Sequence, residues 1–176
     1  IRVLITGEQG FVGNATKKLL SGHECIVFDA MSVLDIRDAA KLREVITSRK
    51  PDRILHLAAI ARFADADAEP LLAHETNVIG SKNVSDLASE FKIPVVYAST
   101  GSVYMPITKA PPITEDFPAC GNSVYGCTKY MGELHIRKSS GPWIILRYAH
   151  LYGHEKRMHG LIGGFLDRIN RGLQPT

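Results

Sequence analysis

The sequence predicts an α/β fold built on an open, doubly wound parallel sheet. Three observations point there. Short β-rich apolar runs alternate with helical patterns along the whole chain. The strand-like runs are almost continuously apolar, as strands covered on both faces are. A glycine-rich turn, "TGEQGFVG", follows the first run and opens a helical pattern.

The elements follow in order. "IRVLITG" (1–7) reads as a strand ending in Gly7. "FVGNATKKLLS" (11–21) has helical spacing, with Phe11, Ala15, Leu19 and Leu20 on one side. "HECIVFDA" (23–30) is a second strand. "RDAAKLREVITSRK" (37–50) is an amphipathic helix stopped by Pro51, with Asp35 or Asp38 as its cap. "DRILHLAA" (52–59) is a third strand, and 70–91 reads as one long helix. "IPVVYAST" (93–100) is a fourth strand, followed by a Pro- and Thr-rich loop over 105–122. A helix from 123 and a strand at 141–149 complete the pattern, and a last helical stretch lies in "LIGGFLDRINRGLQPT". Parallel strands need right-handed crossovers. Ligands of such sheets bind beyond the carboxyl ends of the strands, at the switch point. That edge collects Gly7, Asp29, Ala58, Ser99 and Arg147.

Gly7-x-x-Gly10-x-x-Gly13 sits between a strand and a helix, the context in which three glycines signify a dinucleotide site. Gly7 makes the tight turn, Gly10 lets backbone N–H groups approach a pyrophosphate, and Gly13 lets the helix pack close to the sheet. The helix end contributes partial positive charge. Asp29 closes the second strand, where a carboxylate accepts hydrogen bonds from ribose hydroxyls. No Arg or Lys follows at once ("DAMSV"), which favours NAD over NADP. In "LDIRD" (34–38), Asp35 and Ile36 stand near the adenine, with a helix cap as the alternative for Asp35. The fold class is therefore Rossmann-type.

Composition narrows the function. With 176 residues, 45% hydrophobic and 22% charged, the chain has enough apolar content for one full core. A net charge of +3, scattered and without interleaved aromatics, argues against a nucleic-acid partner. No apolar run approaches membrane-spanning length. Cys25, Cys120 and Cys127 lack C-x-x-C spacing and suit reduced thiols in the cytoplasm. The histidines show no metal-ligand spacing.

In "SVYGCTKYMGE" (123–133), Tyr125 and Lys129 stand four apart and share a helix face. A nearby ammonium stabilises a phenolate, so Lys129 is expected to lower the pKa of Tyr125 and fit it for proton transfer beside a hydride acceptor. Ser99 and Thr100, where the fourth strand runs out, offer hydroxyls to a substrate oxygen or to the phenolate. Capping of the strand end is their alternative use.

"TGEQGFVG", "HLAA", "NVIGSKNV", "YASTGSVY", "YGCTKYMGE" and "LRYAHLYG" occur in the order and approximate spacing of the extended short-chain dehydrogenases/reductases. The chain resembles their NAD-dependent epimerase/dehydratase group, which works on nucleotide-activated sugars. The resemblance implies Thr100, Tyr125 and Lys129 as the catalytic residues. It implies Gly7, Gly10, Phe11, Val12, Gly13, Asp29, Asp35, Ile36, Leu57, Ala58, Ala59, Asn77 and Ser99, with Tyr125 and Lys129, as the NAD-binding set. Thr100, Tyr125 and His150 would meet the nucleotide sugar. The chain departs from the pattern at Met105, where Gly is frequent, and at His150, where Asn is usual. The resemblance also implies a dinucleotide domain over 1–153 and the start of a substrate region from 154, most of that region being absent here. It allows a homodimer through helices of the kind at 70–91 and 123–138.

Four activities compete. A UDP-glucose 4-epimerase-like enzyme would move a hydride to NAD and back. A dTDP-4-dehydrorhamnose reductase-like enzyme would use the same triad reductively; the short connection from Asp29 to Asp35 and the "ARFADADAEP" segment resemble that branch. A 4,6-dehydratase usually has Asp-Glu straight after the Thr, where this chain has Gly101 and Ser102. A non-catalytic NAD sensor tends to lose the Tyr or the Lys, and both are present.

Overall fold

The computed structural model describes residues 1–28, 34–104, 112–153 and 161–174. Asp29 and Met105 therefore lie outside the described residues. Five parallel strands form one sheet in the order β2-β1-β3-β4-β5: β1 (Arg2–Thr6), β2 (Glu24–Phe28), β3 (Arg53–His56), β4 (Val95–Thr100) and β5 (Trp143–Tyr148). The doubly wound sheet read from the sequence is thus observed. The order reverses at β1, so the switch point opens between β1 and β3, beside the glycine-rich turn.

Helix α1 (Phe11–Leu19) follows β1, and α2 (Ala39–Arg49) follows β2. Asp38 caps α2, its carboxylate accepting from Lys41 N at 2.9 Å; Asp35 does not. A short helix α3 (Phe63–Ala68) precedes the long segment read as one helix over 70–91. That segment is α4 (Pro70–His74), a π-helical turn (Glu75–Gly80) and α5 (Ser81–Phe91). The wider turn carries Asn77 inward, in keeping with the frequent placement of π-turns at functional sites. Helix α6 (Val124–Arg137) packs on α5 and β4, and α7 (Leu161–Asn170) ends the described chain.

Leu4, Ile26, Phe28, Ile54 and Val95 from the strands meet Leu42, Ile46, Val84, Leu87 and Ile136 from the helices in one core. Four of the five strands supply buried apolar side chains to it; β5, at the sheet edge, leaves Ile144 and Leu146 exposed. Among the described residues no helix is long and apolar enough to cross a membrane.

Candidate active site

The first corner of the site is made of backbone. Gly7 takes φ +72°, and a Cβ there would stand 2.6 Å from Ala58 N and 2.7 Å from Ala58 Cα. Only glycine lets β1 turn while β3 passes so close. At Gly13 a Cβ would meet the carbonyl oxygens of Gly7 and Glu8, each at 2.5 Å, so α1 lies directly on the turn. The first helical bond runs from Asn14 N to Gly10 O at 3.0 Å. The N–H groups of Phe11, Val12 and Gly13 therefore face out of the helix end, as the first turn of any helix requires.

A cavity of about 560 Å³ opens above this turn. Gly7, Gly10, Phe11, Val12 and Gly13 line one side, and Leu57, Ala58 and Ala59 another. Asp35 and Ile36 line it as well. Arg37, unremarked in the sequence, joins them: its Nε and Nη2 donate to Asp35 Oδ2 at 2.9 and 2.7 Å, and its Nη1 donates to Glu75 Oε2 at 3.0 Å. The Arg37 contact holds the Asp35 carboxyl below the usual range. The tight turn that Gly7 and Gly13 permit, where any side chain would overlap neighbouring backbone, and the outward N–H groups fit a dinucleotide's pyrophosphate.

The second corner is made of side chains. Tyr125 stands in the first turn of α6, which Ser123 caps by accepting from Gly126 N at 3.0 Å. Thr100 ends β4; its hydroxyl donates to Ser102 Oγ at 3.2 Å, accepts from Ser102 N at 3.1 Å, and favours the ionised form of the Tyr125 phenol. The Phe63 ring meets the Tyr125 ring edge-on, centroids 5.2 Å apart. Burial raises the Tyr125 pKa, and the Thr100 contact only partly opposes it. The sequence expectation that Lys129 lowers it is corrected here. The Lys129 ammonium lies 4.1 Å from the centre of the Tyr97 ring, buried, and desolvation pushes its own pKa down to about 7.

The Ser99 hydroxyl is a further correction, while Asn77 stands near the site in a structural role. Ser99 does not turn its hydroxyl to the cavity; it donates to Glu133 Oε1 at 2.5 Å, because the alternation along β4 points it at α6. Asn77 is wholly buried and touches the site through others. Its Oδ1 accepts from Ile60 N at 2.8 Å, and its Nδ2 donates to Ile60 O at 3.1 Å and Thr128 Oγ1 at 3.0 Å. Thr128 in turn donates to Tyr125 O at 3.0 Å. Asn77 thus fastens the cavity wall at Ile60 to the turn carrying Tyr125. His150 is exposed, just past β5 at the same sheet edge.

Sequence reasoning missed a buried polar chain that joins the two corners. Thr6 Oγ1 accepts from Leu57 N and Ala58 N at 3.1 and 3.2 Å, so its proton goes to His56 Nδ1 at 2.7 Å. His56 Nε2–H then donates to Ser81 Oγ at 3.0 Å. The Tyr97 ring packs against His56, centroids 5.3 Å apart, and its phenol donates to Lys129 O at 3.4 Å. Burial keeps His56 neutral, with its pKa lowered to about 3. The signal available was position: His56 and Tyr97 are polar groups inside otherwise apolar strands.

Residues 1–171 match the family described as RmlD substrate binding domain. The chain belongs to that family, within the extended short-chain dehydrogenases/reductases. It is similar to UDP-glucose 4-epimerase of Neisseria meningitidis serogroup B (strain ATCC BAA-335 / MC58), 31% identical over 205 residues that cover 99% of this chain and 59% of that protein. Among solved structures, dTDP-4-dehydrorhamnose reductase of Bacillus anthracis str. Ames, in complex with NADP, aligns with TM-score 0.85 and 27% identity, over 98% of this chain and 61% of the other. UDP-glucose 4-epimerase of Thermus thermophilus, in complex with NAD, aligns with TM-score 0.85 and 26% identity, over 98% and 64%. The chain thus spans about three-fifths of the length of the relatives it matches.

Proposed function

We propose that the protein is an NAD-dependent enzyme acting on a nucleotide sugar, of the UDP-glucose 4-epimerase type. The carrying observation is that Thr100, ending β4, and Tyr125, in the first turn of α6, stand at the same carboxyl edge of the sheet as the Gly7 turn. Bound NAD would accept a hydride from a sugar carbon and return it. Gly7, Gly10, Phe11, Val12 and Gly13 would hold its pyrophosphate; Asp35, Ile36 and Asp29 its adenosine end; Leu57, Ala58 and Ala59 the wall beneath it. Arg37 is engaged by Asp35 and Glu75, which leaves it poorly placed to welcome a 2′-phosphate and supports NAD over NADP.

The Tyr125 phenol is neutral at pH 7, since burial lifts its pKa above an already high ordinary value. To serve as base when hydride leaves, Tyr125 must first release its own proton to solvent; the phenolate then takes the sugar hydroxyl proton and returns it to the ketone oxygen when hydride comes back, with Thr100 beside it. Lys129, one turn along α6, would supply positive charge to a developing phenolate. His150 and the region from 154 onward would contribute to the sugar pocket. The three free thiols suit a cytoplasmic protein.

The test is Tyr125→Phe in the intact protein. Turnover should fall by about 10²–10⁴-fold with NAD affinity little changed; unchanged turnover sinks the assignment. A second reading, a nucleotide-sugar ketoreductase, is favoured by the likeness to the reductase structure. NADH absorbance separates them: product without net NADH consumption marks an epimerase, stoichiometric consumption a reductase.

A further inference from the structure

The Glu133 carboxylate is the most deeply buried charge in the described residues that the reaction above leaves unused. It is fully enclosed among α6, β4 and β5. Oε1 accepts from Ser99 Oγ at 2.5 Å and from Arg147 Nε at 2.9 Å. Oε2 accepts from Arg147 Nη2 at 2.7 Å and from Arg137 Nη2 at 3.5 Å. Burial alone would push this carboxyl up, but the Arg147 and Ser99 hydrogen bonds and the two guanidinium charges outweigh it and hold it below the ordinary range.

Three geometric facts tie this anion to the chemistry. Glu133 lies one helical turn beyond Lys129 and two beyond Tyr125, on one face of α6. Its partner Ser99 immediately precedes Thr100, so the contact fixes where β4 delivers the Thr100 hydroxyl. Its partner Arg147 reaches onward: Nη1 donates to Glu115 O at 3.0 Å, and the guanidinium carbon sits 4.7 Å from the Tyr104 ring centre. Tyr104 pairs with Ala119 in an isolated antiparallel bridge. One carboxylate thus connects the strand end, the tyrosine helix and the described residues that flank the loop between them.

We propose that Glu133 is a positioning residue of the active site: through Ser99 and Arg147 it sets Thr100 and the 112–119 segment, and as the buried carboxylate one turn along α6 from Lys129 it favours the lysine's charged form. The inference rests on the proposed function only in taking Lys129 as the site's cation. The groups acting on Lys129 are His56 from β3, Tyr97 from β4 and Glu133 from its own helix, on which Tyr125 stands one turn before it. His56 is neutral and both tyrosines keep their protons, their pKa values being raised by burial. Among the described residues Glu133 is the anion acting on Lys129, and its field raises the lysine pKa against the larger effect of burial. Arg137 and Arg147 are both paired with the same carboxylate.

The experiment titrates Lys129 in the intact protein by carbon NMR of the lysine ε-carbons, assigned by loss of its signal in Lys129→Met, without cofactor or sugar. The wild-type midpoint is expected near about 7. Glu133→Gln should move it down by about one pH unit or more, and Glu133→Asp should keep most of the wild-type value. A midpoint unmoved in Glu133→Gln overturns the proposal, because a merely structural side chain would not set the lysine's charge. If Glu133→Gln fails to fold, the double variant Glu133→Gln/Arg147→Met is compared with Arg147→Met alone, so that only the Glu133 charge differs: a lower midpoint in the double variant supports the proposal, an equal one overturns it. No sugar enters the titration, so failure here and failure of the epimerase reading are separate results.

Discussion

The two corners of the site are built by opposite means. At the β1–α1 turn the working groups are backbone N–H groups, and side chains matter chiefly by their absence at Gly7 and Gly13. At the β4–α6 corner the working groups are side chains whose charges depend on what encloses them: Tyr125 raised, Lys129 lowered to about 7, Glu133 held ionised. Shape is fixed once the chain folds, whereas charge answers to pH and to each neighbour. The first corner should therefore fail by steric disruption, at any pH. The second should fail or gain in ways that depend on pH.

The largest expected effect is at the first corner. Gly7→Ala adds a Cβ 2.6 Å from Ala58 N, in a left-handed conformation at φ +72°. Strain and overlap together should cost about 2–4 kcal/mol of stability. NAD affinity should fall with it, and both losses should be the same at pH 6 and pH 9. Urea unfolding and NAD titration at the two pH values check this; a strong pH dependence would break the contrast between the corners.

Lys129→Met probes the second corner with the opposite sign. Lys129 titrates near about 7 when folded and near its ordinary value of 10.5 when unfolded. Between those values the unfolded chain holds a proton that the folded chain lacks, so stability rises with pH across that window. Below about 7 the penalty of the buried ammonium is complete. Methionine should therefore stabilise the protein by an amount on the order of a few kcal/mol at pH 6, and the gain should fade toward pH 10.5. Turnover should be lost even as stability rises. Denaturant midpoints at the two pH values measure it, and an equal gain at both would mean that packing, not charge, decides.

Gly132→Ala tests where the corners are joined. Its Cβ would stand 2.3 Å from the Tyr97 phenol oxygen and 2.9 Å from Asn77 O. Helix α6 must move off β4 or Tyr97 must shift, at a cost of about 1–3 kcal/mol. Because Tyr97 carries Lys129 and Asn77 holds Thr128, the displacement should reduce turnover more than NAD affinity. Equal losses would mean that α6 also shapes the cofactor corner.

Legibility in the sequence followed the same division. The glycine turn was readable because a conformational demand selects one residue type at fixed spacing, and the structure places Gly7, Gly10 and Gly13 around the cavity. The alternation of strands and helices was readable for a similar reason, since burial on both faces leaves an apolar run. Tyr125, Lys129 and Thr100 were found by helix period and strand end. Their ionisation was not, because it depends on Tyr97, Glu133 and His56, which come from three elements. Ser99 was misplaced since a strand's two faces look alike in a short apolar run, and only packing against α6 shows that Glu133 takes its hydroxyl. Asn77 stands at its expected place near the site, but the π-turn that buries it leaves no mark in the spacing of apolar residues.

The smallest expected effect lies in α2, away from both corners, and calibrates the rest. Asp38 is exposed and caps the helix through Lys41 N at 2.9 Å. Asp38→Ala removes one acceptor from a helix end already open to water, so it should cost about 1 kcal/mol. NAD affinity should stay at its wild-type value, because Asp38 faces α2 rather than the glycine turn. A clear loss of affinity would show that α2 sets the position of Asp35 and Arg37. The adenosine end would then depend on helix capping as well as on backbone shape, and the division between the two corners would need a third, mixed region.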